Sequence, residues 1–194
     1  MRRHRPVRAR LLGALLAAAI ALVPQAIAGQ QRDAPNLAPF VPTPQEVVDR
    51  MLQLAGVTKD DVVYDLGSGD GRIVITAAQR FGARGVGVDI DPLRIAESRA
   101  NAARAGVSDR VTFKLQDALT TDVSEATVVT LYLLSASNLK LRPILTRQLE
   151  PGARIVAHAF SMGDWKPAKV DTFTDSANSP RTLYLWIADG KVRP

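Results

Sequence analysis

The chain has 194 residues, of which 46% are hydrophobic, and this is enough for one globular domain with a full core. It has no cysteine and only two histidines, which excludes disulfides, thiol chemistry and a histidine-rich metal site, so we expect no metal. Five arginines within the first ten residues account for most of the net charge of +6, and from residue 29 onward 20 basic residues face 19 acidic ones, so we expect no nucleic-acid partner.

The first 28 residues have the composition of a secretory signal peptide. Arginines precede an apolar run of 13 residues, Leu11 to Val23, and Ala26-Ile27-Ala28 then forms a signal-peptidase pattern before Gly29. The run is short for a membrane span. We therefore expect an exported or periplasmic protein without a stable membrane span after cleavage. The alternatives are a membrane anchor through an uncleaved leader and a wrongly assigned start codon.

Residues 29–42 are polar and rich in proline, which predicts an extended linker ahead of a domain over residues 43–194. Thr43, Pro44 and Glu46 match the N-cap, first-turn proline and capping-box acid of a helix. The apolar face of this helix is predicted to consist of Val47, Val48, Met51, Leu52 and Ala55. The segment from Phe40 to Pro44 is either a simple helix entry or a lid over a ligand.

A short apolar run, Val62 to Leu66, precedes three alternating glycines and a helical pattern. The run is typical of a strand buried on both faces of a parallel sheet, and the glycines let a ligand lie against the backbone. A second strand, Gly85 to Asp89, ends in a carboxylate 18 residues after Gly71, where it can accept hydrogen bonds from both ribose hydroxyls of a nucleoside. Glycines alone also suit a tight turn, but together with Asp89 they predict a nucleoside-cofactor site.

The glycine spacing departs from the dinucleotide fingerprint, because it is G-x-G-x-G with Asp65 two residues ahead. A carboxylate there repels a pyrophosphate but suits the ammonium group of an amino-acid moiety. The segment DLGSGDGR resembles motif I of the class I S-adenosylmethionine-dependent methyltransferases, and the resemblance extends from about Phe40 to Trp186. It implies S-adenosyl-L-methionine as the cofactor and a seven-stranded sheet.

The same resemblance implies a role for each residue of the motif. The residues implied beside the methionine moiety are Asp65, Gly67, Ser68, Gly69 and Gly71. Asp89 is implied on the ribose and Asp117 near the adenine amino group. Asp117 also suits the start of a turn, which is the simpler interpretation.

Strand and helix patterns alternate along the rest of the chain. Asp91-Pro92 is predicted to cap a helix whose inward residues are Leu93, Ala96, Ala100 and Ala103. Pro143 is expected in or near the first turn of the last helix. The remaining strands are predicted over 111–115, 127–134, 153–160, 169–173 and 182–187, the last two as an antiparallel pair.

Five β-α units and a closing hairpin predict an α/β fold: one Rossmann-like, doubly wound, seven-stranded and mostly parallel sheet. Ligands of such sheets bind at the carboxyl ends of the strands. The predicted topology therefore places Asp65, Asp89, Asp117, Tyr132 and the residues after Phe160 around one crevice.

Three segments, FVPTPQEVVDRML, DLGSGDGRIV and NLKLRPILTRQLEPGARIVAHAF, together resemble the seven-strand protein-lysine methyltransferases. These include histone-lysine enzymes of the telomeric-silencing type and mitochondrial enzymes that act on the ATP synthase c-subunit and the nucleotide carrier. The resemblance implies that Thr43 touches the cofactor from the lid and that Tyr132, the candidate catalytic residue, lies beside the methyl group. Tyr132 also suits packing in the core or against the cofactor, and His158 suits a hydrogen-bonded structural residue.

The segment after the fourth strand, Leu131 to Ser135, departs from two related patterns. It lacks the Asn-rich segment of the histone enzymes and the Asn/Asp-Pro-Pro-aromatic segment of enzymes that methylate nucleic-acid bases. Three functions therefore stay open: a methyltransferase acting on a protein amine, for which lysine is favoured; one acting on a small molecule; and a non-catalytic, exported cofactor-binding module. We expect a monomer.

Overall fold

The structure is a computed structural model that describes Met1 and residues 37–194. Apart from Met1, the predicted leader lies outside the described residues, as does the part of the predicted linker before residue 37. Residues 37–194 belong to one unit of the chain, Asp33–Pro194. Within this described part, no helix has both the length and the apolar character that a membrane crossing requires.

Seven strands form a single sheet in the order β3-β2-β1-β4-β5-β7-β6. The strands are β1 (Val62–Leu66), β2 (Arg84–Asp89), β3 (Val111–Leu115), β4 (Val128–Leu131), β5 (Arg154–His158), β6 (Lys169–Thr174) and β7 (Pro180–Ile187). The helices are α1 (Gln45–Leu54), α2 (Arg72–Phe81), α3 (Pro92–Ala105) and α4 (Ser135–Gln148), with a 3-10 turn at Ala118–Thr120. Neighbours from β3 to β5 pair in parallel, and β7 pairs antiparallel with both β5 and β6. The predicted fold class is confirmed.

The sheet is buried on both faces by two hydrophobic clusters. Val63 packs into the cluster that contains the apolar faces of α1, α2 and α3, whereas Tyr64 and Leu66 pack into the cluster of α4. Successive side chains of a strand point to opposite faces, so a strand covered by helices on both sides is apolar throughout. This is why all five residues of β1 are buried and why its sequence shows no polar alternation.

The strand β4 is shorter than predicted, and α4 begins earlier. The Leu134 carbonyl accepts hydrogen bonds from the amides of Ser137 (2.9 Å) and Asn138 (3.0 Å), so the chain turns into a helix where an apolar strand was expected to continue to Leu134. The placement of Pro143 in the first turn is therefore wrong, because this proline lies inside α4. An apolar helix entry has the same pattern as the end of a strand. The strand β5 is likewise shorter than predicted at both ends.

The capping box predicted for α1 is absent. The helix begins at Gln45, the N-cap position belongs to Pro44, and no side chain caps the helix. Glu46 instead accepts a hydrogen bond from the amide of Ser176 (2.9 Å), which lies 130 residues further along the chain. The predicted apolar face is buried, as expected.

The inward face of α3 also differs from the prediction. The buried residues are Ile95, Ser98 and Ala102, and the side of the helix predicted to face inward is exposed, with Leu93 70% accessible. The exposed alanines are Ala96, Ala100 and Ala103. Alanine packs on either face at little cost, so alanine spacing is a poor guide to helix orientation. The capping of this helix by Asp91 is confirmed, since its Oδ1 accepts from the Leu93 amide (2.8 Å).

Candidate active site

A cleft opens at the carboxyl ends of β1, β2 and β4, where the strand order reverses between β1 and β4. It contains about 910 Å³ of empty space, a volume that includes open solvent at its mouth. The predicted site residues that line it are Thr43, Asp65, Gly67, Ser68, Gly69, Asp89, Asp117 and Tyr132. The fold thus brings together the predicted site residues except Gly71. The residues after Phe160, which were also predicted around the crevice, do not line it, because the chain turns away from the cleft after β5.

The turn from Gly67 to Gly71 wraps around the end of β2. The amides of Gly67 and Ser68 both donate to the Val88 carbonyl, at 2.8 and 2.9 Å. All three glycines of the turn have positive φ. A Cβ on Gly69 would lie 2.4 Å from the Phe40 ring, and one on Gly71 would lie 2.7 Å from the Phe113 ring. Gly69 therefore lets the Phe40 ring pack against the turn, whereas Gly71 lets the turn pack against the strand β3.

Asp89 is held in place by backbone amides. Its Oδ2 accepts from the Gly69 amide (2.8 Å) and its Oδ1 from the Asp91 amide (2.9 Å). Each carboxylate oxygen has a second lone pair, so both can still accept a hydrogen bond from a ligand. The carboxylate is thus oriented before any ligand arrives, as the predicted contact with ribose hydroxyls requires.

Asp65 is almost fully buried, with 3% of its surface accessible. The Thr130 hydroxyl donates to its Oδ1 (2.8 Å). Burial, reinforced by the nearby carboxylates of Asp89 and Asp70, raises the pKa of Asp65 to about 7. A cation placed beside this carboxyl group would favour its ionised form, so the site suits an ammonium group.

Asp117 lies across the cleft at the end of β3. Its Oδ1 accepts from the Leu119 amide (2.8 Å) and starts the 3-10 turn. The simpler interpretation of this residue therefore holds, but it does not exclude the other, because Asp117 also lines the cleft beside Ala118 and Ile90. An apolar wall next to a carboxylate is suited to a purine ring that carries an amino group.

A lid, residues Leu37–Thr43, covers one side of the cleft. Its backbone is tied to the rest of the domain at both ends: the Ser137 hydroxyl donates to the Leu37 carbonyl (2.5 Å), and Arg72 Nη1 donates to the Thr43 carbonyl (2.7 Å). Between them, the Arg94 guanidinium stacks on the Phe40 ring at 4.4 Å. The structure therefore agrees with the lid interpretation of this segment rather than with a simple helix entry.

Tyr132 forms the far wall of the cleft, just after β4. Its ring packs against the ring of His158, with 4.1 Å between the centroids. His158 itself is 1% exposed and does not line the cleft. Burial and the charge of Arg181 lower the pKa of His158 to about 4, so its ring is neutral at physiological pH.

Sequence reasoning missed Arg72 as a site residue. It forms an ion pair with Asp70 (2.5 Å) and also reaches the Thr43 carbonyl, so it links the glycine turn to the lid. The pairing with Asp70 could have been suspected from their spacing. The contact with Thr43 joins residues 29 positions apart and has no local signal in the sequence.

These residues fit S-adenosyl-L-methionine. The cleft offers a buried carboxyl group for an ammonium, an oriented carboxylate for a ribose and an apolar wall for a purine. The buried Ser68 hydroxyl lines the cleft and has no hydrogen-bonding partner within residues 37–194. A bound ligand can supply that partner, since buried polar groups are rarely left unpaired.

Comparison with known proteins identifies the family. The model of the ANTKMT methyltransferase domain matches residues 65–169. A protein-lysine N-methyltransferase of Saccharolobus islandicus (strain REY15A) is 47% identical over 150 residues, which cover 77% of this chain and 92% of that protein. The Homo sapiens lysine N-methyltransferase named for the ATP synthase c-subunit is 33% identical over 132 residues, which cover 68% of this chain and 56% of that enzyme.

A similar solved structure is also a methyltransferase and shows the class of cofactor. The crystal structure of an RNA methyltransferase from Salinibacter ruber, in complex with S-adenosyl-L-homocysteine, is 54% identical, with a TM-score of 0.74. The match covers 79% of this chain and 97% of that one. S-adenosyl-L-homocysteine is what S-adenosyl-L-methionine becomes when it loses its methyl group. The chain is thus a class I S-adenosyl-L-methionine-dependent methyltransferase and belongs to the ANTKMT methyltransferase domain family.

Proposed function

We propose that the enzyme methylates the side-chain amine of lysine in a protein. The observation that carries this proposal is the 47% identity to a protein-lysine N-methyltransferase, along 92% of that protein. The Homo sapiens relative is also named as a lysine methyltransferase, although the chain spans little more than half of its length. The matched Salinibacter ruber protein is described as an RNA methyltransferase, which makes RNA the acceptor to test against.

The cleft suits direct transfer to an acceptor that enters beside Tyr132. When bound, S-adenosyl-L-methionine supplies a methyl group activated by a positively charged sulfur. Asp65, Asp89 and Asp117 would hold its ammonium group, ribose and purine, and the lid would shield it from water. Alignment of two reactants in one site can account for a large part of a rate enhancement. The chain's own residues therefore bind the cofactor, orient the acceptor toward it and remove water from both.

A lysine ammonium must lose a proton before its nitrogen can attack, and its ordinary pKa is about 10.4. His158 is a poor acceptor for this proton, because its pKa is lowered to about 4 by burial and by Arg181. An apolar surrounding lowers the pKa of the amine itself, since desolvation disfavours the charged form. Turnover should accordingly increase with pH through the neutral and mildly alkaline range, without a strong base in the enzyme.

The acceptor can be identified by labelling. An extract of a strain that lacks the enzyme is incubated with the purified protein and tritiated S-adenosyl-L-methionine, then divided and treated with protease or with ribonuclease. We expect protease alone to release the label, and peptide mapping to place the methyl group on lysine nitrogen. Release by ribonuclease, or label confined to solvent-soluble molecules, would reject the lysine proposal and leave the methyltransferase assignment intact. Asp89→Ala protein is the matched control and should transfer little label.

We further propose that the mature enzyme is exported and monomeric. The export proposal rests on the leader composition, Ala26-Ile27-Ala28 before Gly29 in particular, and it raises the question of how cofactor made in the cytosol reaches the enzyme. Intact-mass measurement of the native protein should find Gly29 or Gln30 at its N-terminus, and light scattering should give the mass of one chain. A soluble cytosolic protein that retains Met1 would remove the export proposal.

A further inference from the structure

The end of β5 has an unusual conformation. Ala159, directly after His158, has a φ of +65°, and the Phe160 amide donates back to the His158 carbonyl (2.8 Å). A hydrogen bond from residue i+2 to residue i around a positive φ defines a classic γ-turn, which is rare and strained. Such strain persists only where the surroundings impose it, and it is frequent at functional sites.

Two neighbours impose this turn. The Ala159 amide donates to the Thr182 carbonyl of β7 (2.8 Å), and the Asn138 side-chain amide, from α4, donates to the Phe160 carbonyl (3.0 Å). The turn therefore holds His158 at the end of the strand, although an alanine with positive φ costs free energy.

His158 in turn packs against Tyr132. The strands β4 and β5 pair in parallel, with Leu131 opposite Ala157, so the next residues along, Tyr132 and His158, lie side by side on one face of the sheet. Their rings are 4.1 Å apart between centroids and inclined by 36°. Tyr132 lines the cleft and His158 lies behind it, out of solvent.

The Nδ1 atom of His158 does not explain its presence there. Its Nδ1 is buried and meets no hydrogen-bonding partner within residues 37–194. The feature of His158 that contacts the cleft wall is the flat face of its ring.

We propose that His158 is a positioning residue for methyl transfer: its ring, fixed by the strained turn at Ala159, orients the Tyr132 ring at the point where the acceptor approaches. The inference rests on the cleft being the methyl-transfer site and holds for a lysine, RNA or small-molecule acceptor alike.

The test is a double-mutant cycle on kcat with saturating cofactor and the acceptor found by labelling. We expect Tyr132→Ala to lower kcat about 100-fold, and His158→Ala about three- to tenfold. Because His158 acts through Tyr132, the double variant should be about as slow as Tyr132→Ala alone. If the loss of kcat in the double variant equals the product of the two single losses, His158 acts independently of Tyr132 and the proposal is overturned.

Three comparisons separate positioning from a general loss of stability. His158→Phe keeps the ring face without its nitrogens and should keep kcat near the wild-type value. The kcat of His158→Gln should lie between those of His158→Phe and His158→Ala. The dissociation constant of S-adenosyl-L-homocysteine should be unchanged in all three. Val128→Ala, at the other end of β4 and fully buried, is the matched control: it should lower the melting temperature without lowering kcat. A His158→Phe variant as slow as His158→Ala would contradict a role for the ring face.

A readout without turnover keeps the proposal testable if no acceptor is found. The chain has three tyrosines, so the ring signals of Tyr132 can be assigned in tyrosine-labelled protein by nuclear magnetic resonance. The His158 ring current should displace these signals, and the displacement should persist in His158→Phe and vanish in His158→Ala. Absence of turnover on every acceptor would reject the proposed function, whereas unchanged Tyr132 signals in His158→Ala would reject the positioning role.

Discussion

The two ends of the cleft are constructed differently. In the cofactor half, the turn from Gly67 to Gly71 with Asp65 and Asp89, the polar groups are oriented by amides and a hydroxyl of directly adjacent strands and turns. In the half where we propose that the acceptor binds, called the acceptor half and formed by Tyr132 with His158 to Phe160, orientation comes from ring packing, a strained turn and a side chain of α4.

This difference teaches which half tolerates change. A site oriented by backbone amides is set by the strands themselves. It loses its ligand only when a contact to the ligand is removed or when an added side chain blocks the ligand's place. A site oriented by packed side chains tolerates a substitution that keeps the size and shape of the side chain, so its losses are graded. We therefore expect substitutions in the cofactor half to act on affinity, with large effects, and those in the acceptor half to act on kcat, with graded effects.

The largest effect should come from Gly69→Val, which should abolish binding of S-adenosyl-L-methionine in calorimetry. Gly69 has a φ of +52°, and an added Cβ would lie 2.4 Å from the Phe40 ring, so the lid and the turn cannot both keep their positions. Gly106→Val is the matched control, because Gly106 has a φ of +70° but no atom within 4 Å of an added Cβ. It should lose stability and retain binding. A folded Gly69→Val protein with normal affinity for the cofactor would contradict the expectation that substitutions in the cofactor half have large effects on affinity.

Asp89→Ala should weaken cofactor binding by about two orders of magnitude or more. Two hydrogen bonds to a carboxylate are lost, each worth about 1.5–3 kcal/mol. The Gly69 and Asp91 amides also lose their acceptor, so the turn loosens. Asp60→Ala, which removes an exposed carboxylate elsewhere, is the control and should bind normally. An Asp89→Ala enzyme with near-normal affinity but low kcat would assign this residue to the acceptor half instead.

Cofactor affinity should increase with pH up to about 7 and then level off. The pKa of Asp65 is raised to about 7 by burial, and only its ionised form attracts an ammonium group. Affinity should therefore fall by up to about tenfold for each pH unit below 7, and Asp65→Asn should remove this dependence. Titration calorimetry between pH 5.5 and 7.5 measures it; a flat wild-type profile would show that Asp65 does not meet the cofactor's charge.

The same shift has a consequence for the stability of the cofactor-free protein. The pKa of Asp65 is higher in the folded than in the unfolded chain. The unfolding free energy therefore decreases as the pH increases from about 4 to about 7. His158 affects the unfolding free energy in the opposite direction. Because its pKa is lowered in the folded chain, the fold gains stability as the pH increases from about 4 to 6.5. The difference in unfolding free energy between wild type and Asp65→Asn isolates the first contribution.

The smallest effect is expected for Arg72→Ala, which unties the lid from the glycine turn. Loss of the hydrogen bond to the Thr43 carbonyl should increase the cofactor dissociation rate by about three- to tenfold. Stopped-flow measurement would show this, with Arg80→Ala, an exposed ion-pair residue of the same helix, as the control. Equal dissociation rates in both variants would mean that the lid is held by Phe40 and Ser137 alone.

Local pattern was sufficient for most of the fold. Strand β1 and its glycine turn were predictable because a strand buried on both faces is continuously apolar and a turn with positive φ selects glycine. Strand β3, at the edge of the sheet, was predictable because its residues alternate. The errors lay where one pattern fits two structures: Leu134 suits a strand end and a helix entry, and the alanines of α3 suit either face of a helix.

The sequence by itself determined the sheet, its ligand edge and the acids of the cofactor half, since each of these follows from residues adjacent in the chain. The tertiary structure alone decided that Arg72 reaches Thr43, that Asn138 holds the Phe160 carbonyl and that His158 lies against Tyr132. These contacts join residues that are 22 to 29 positions apart and leave no periodic signal, because their geometry depends on how strands and helices pack rather than on any local preference.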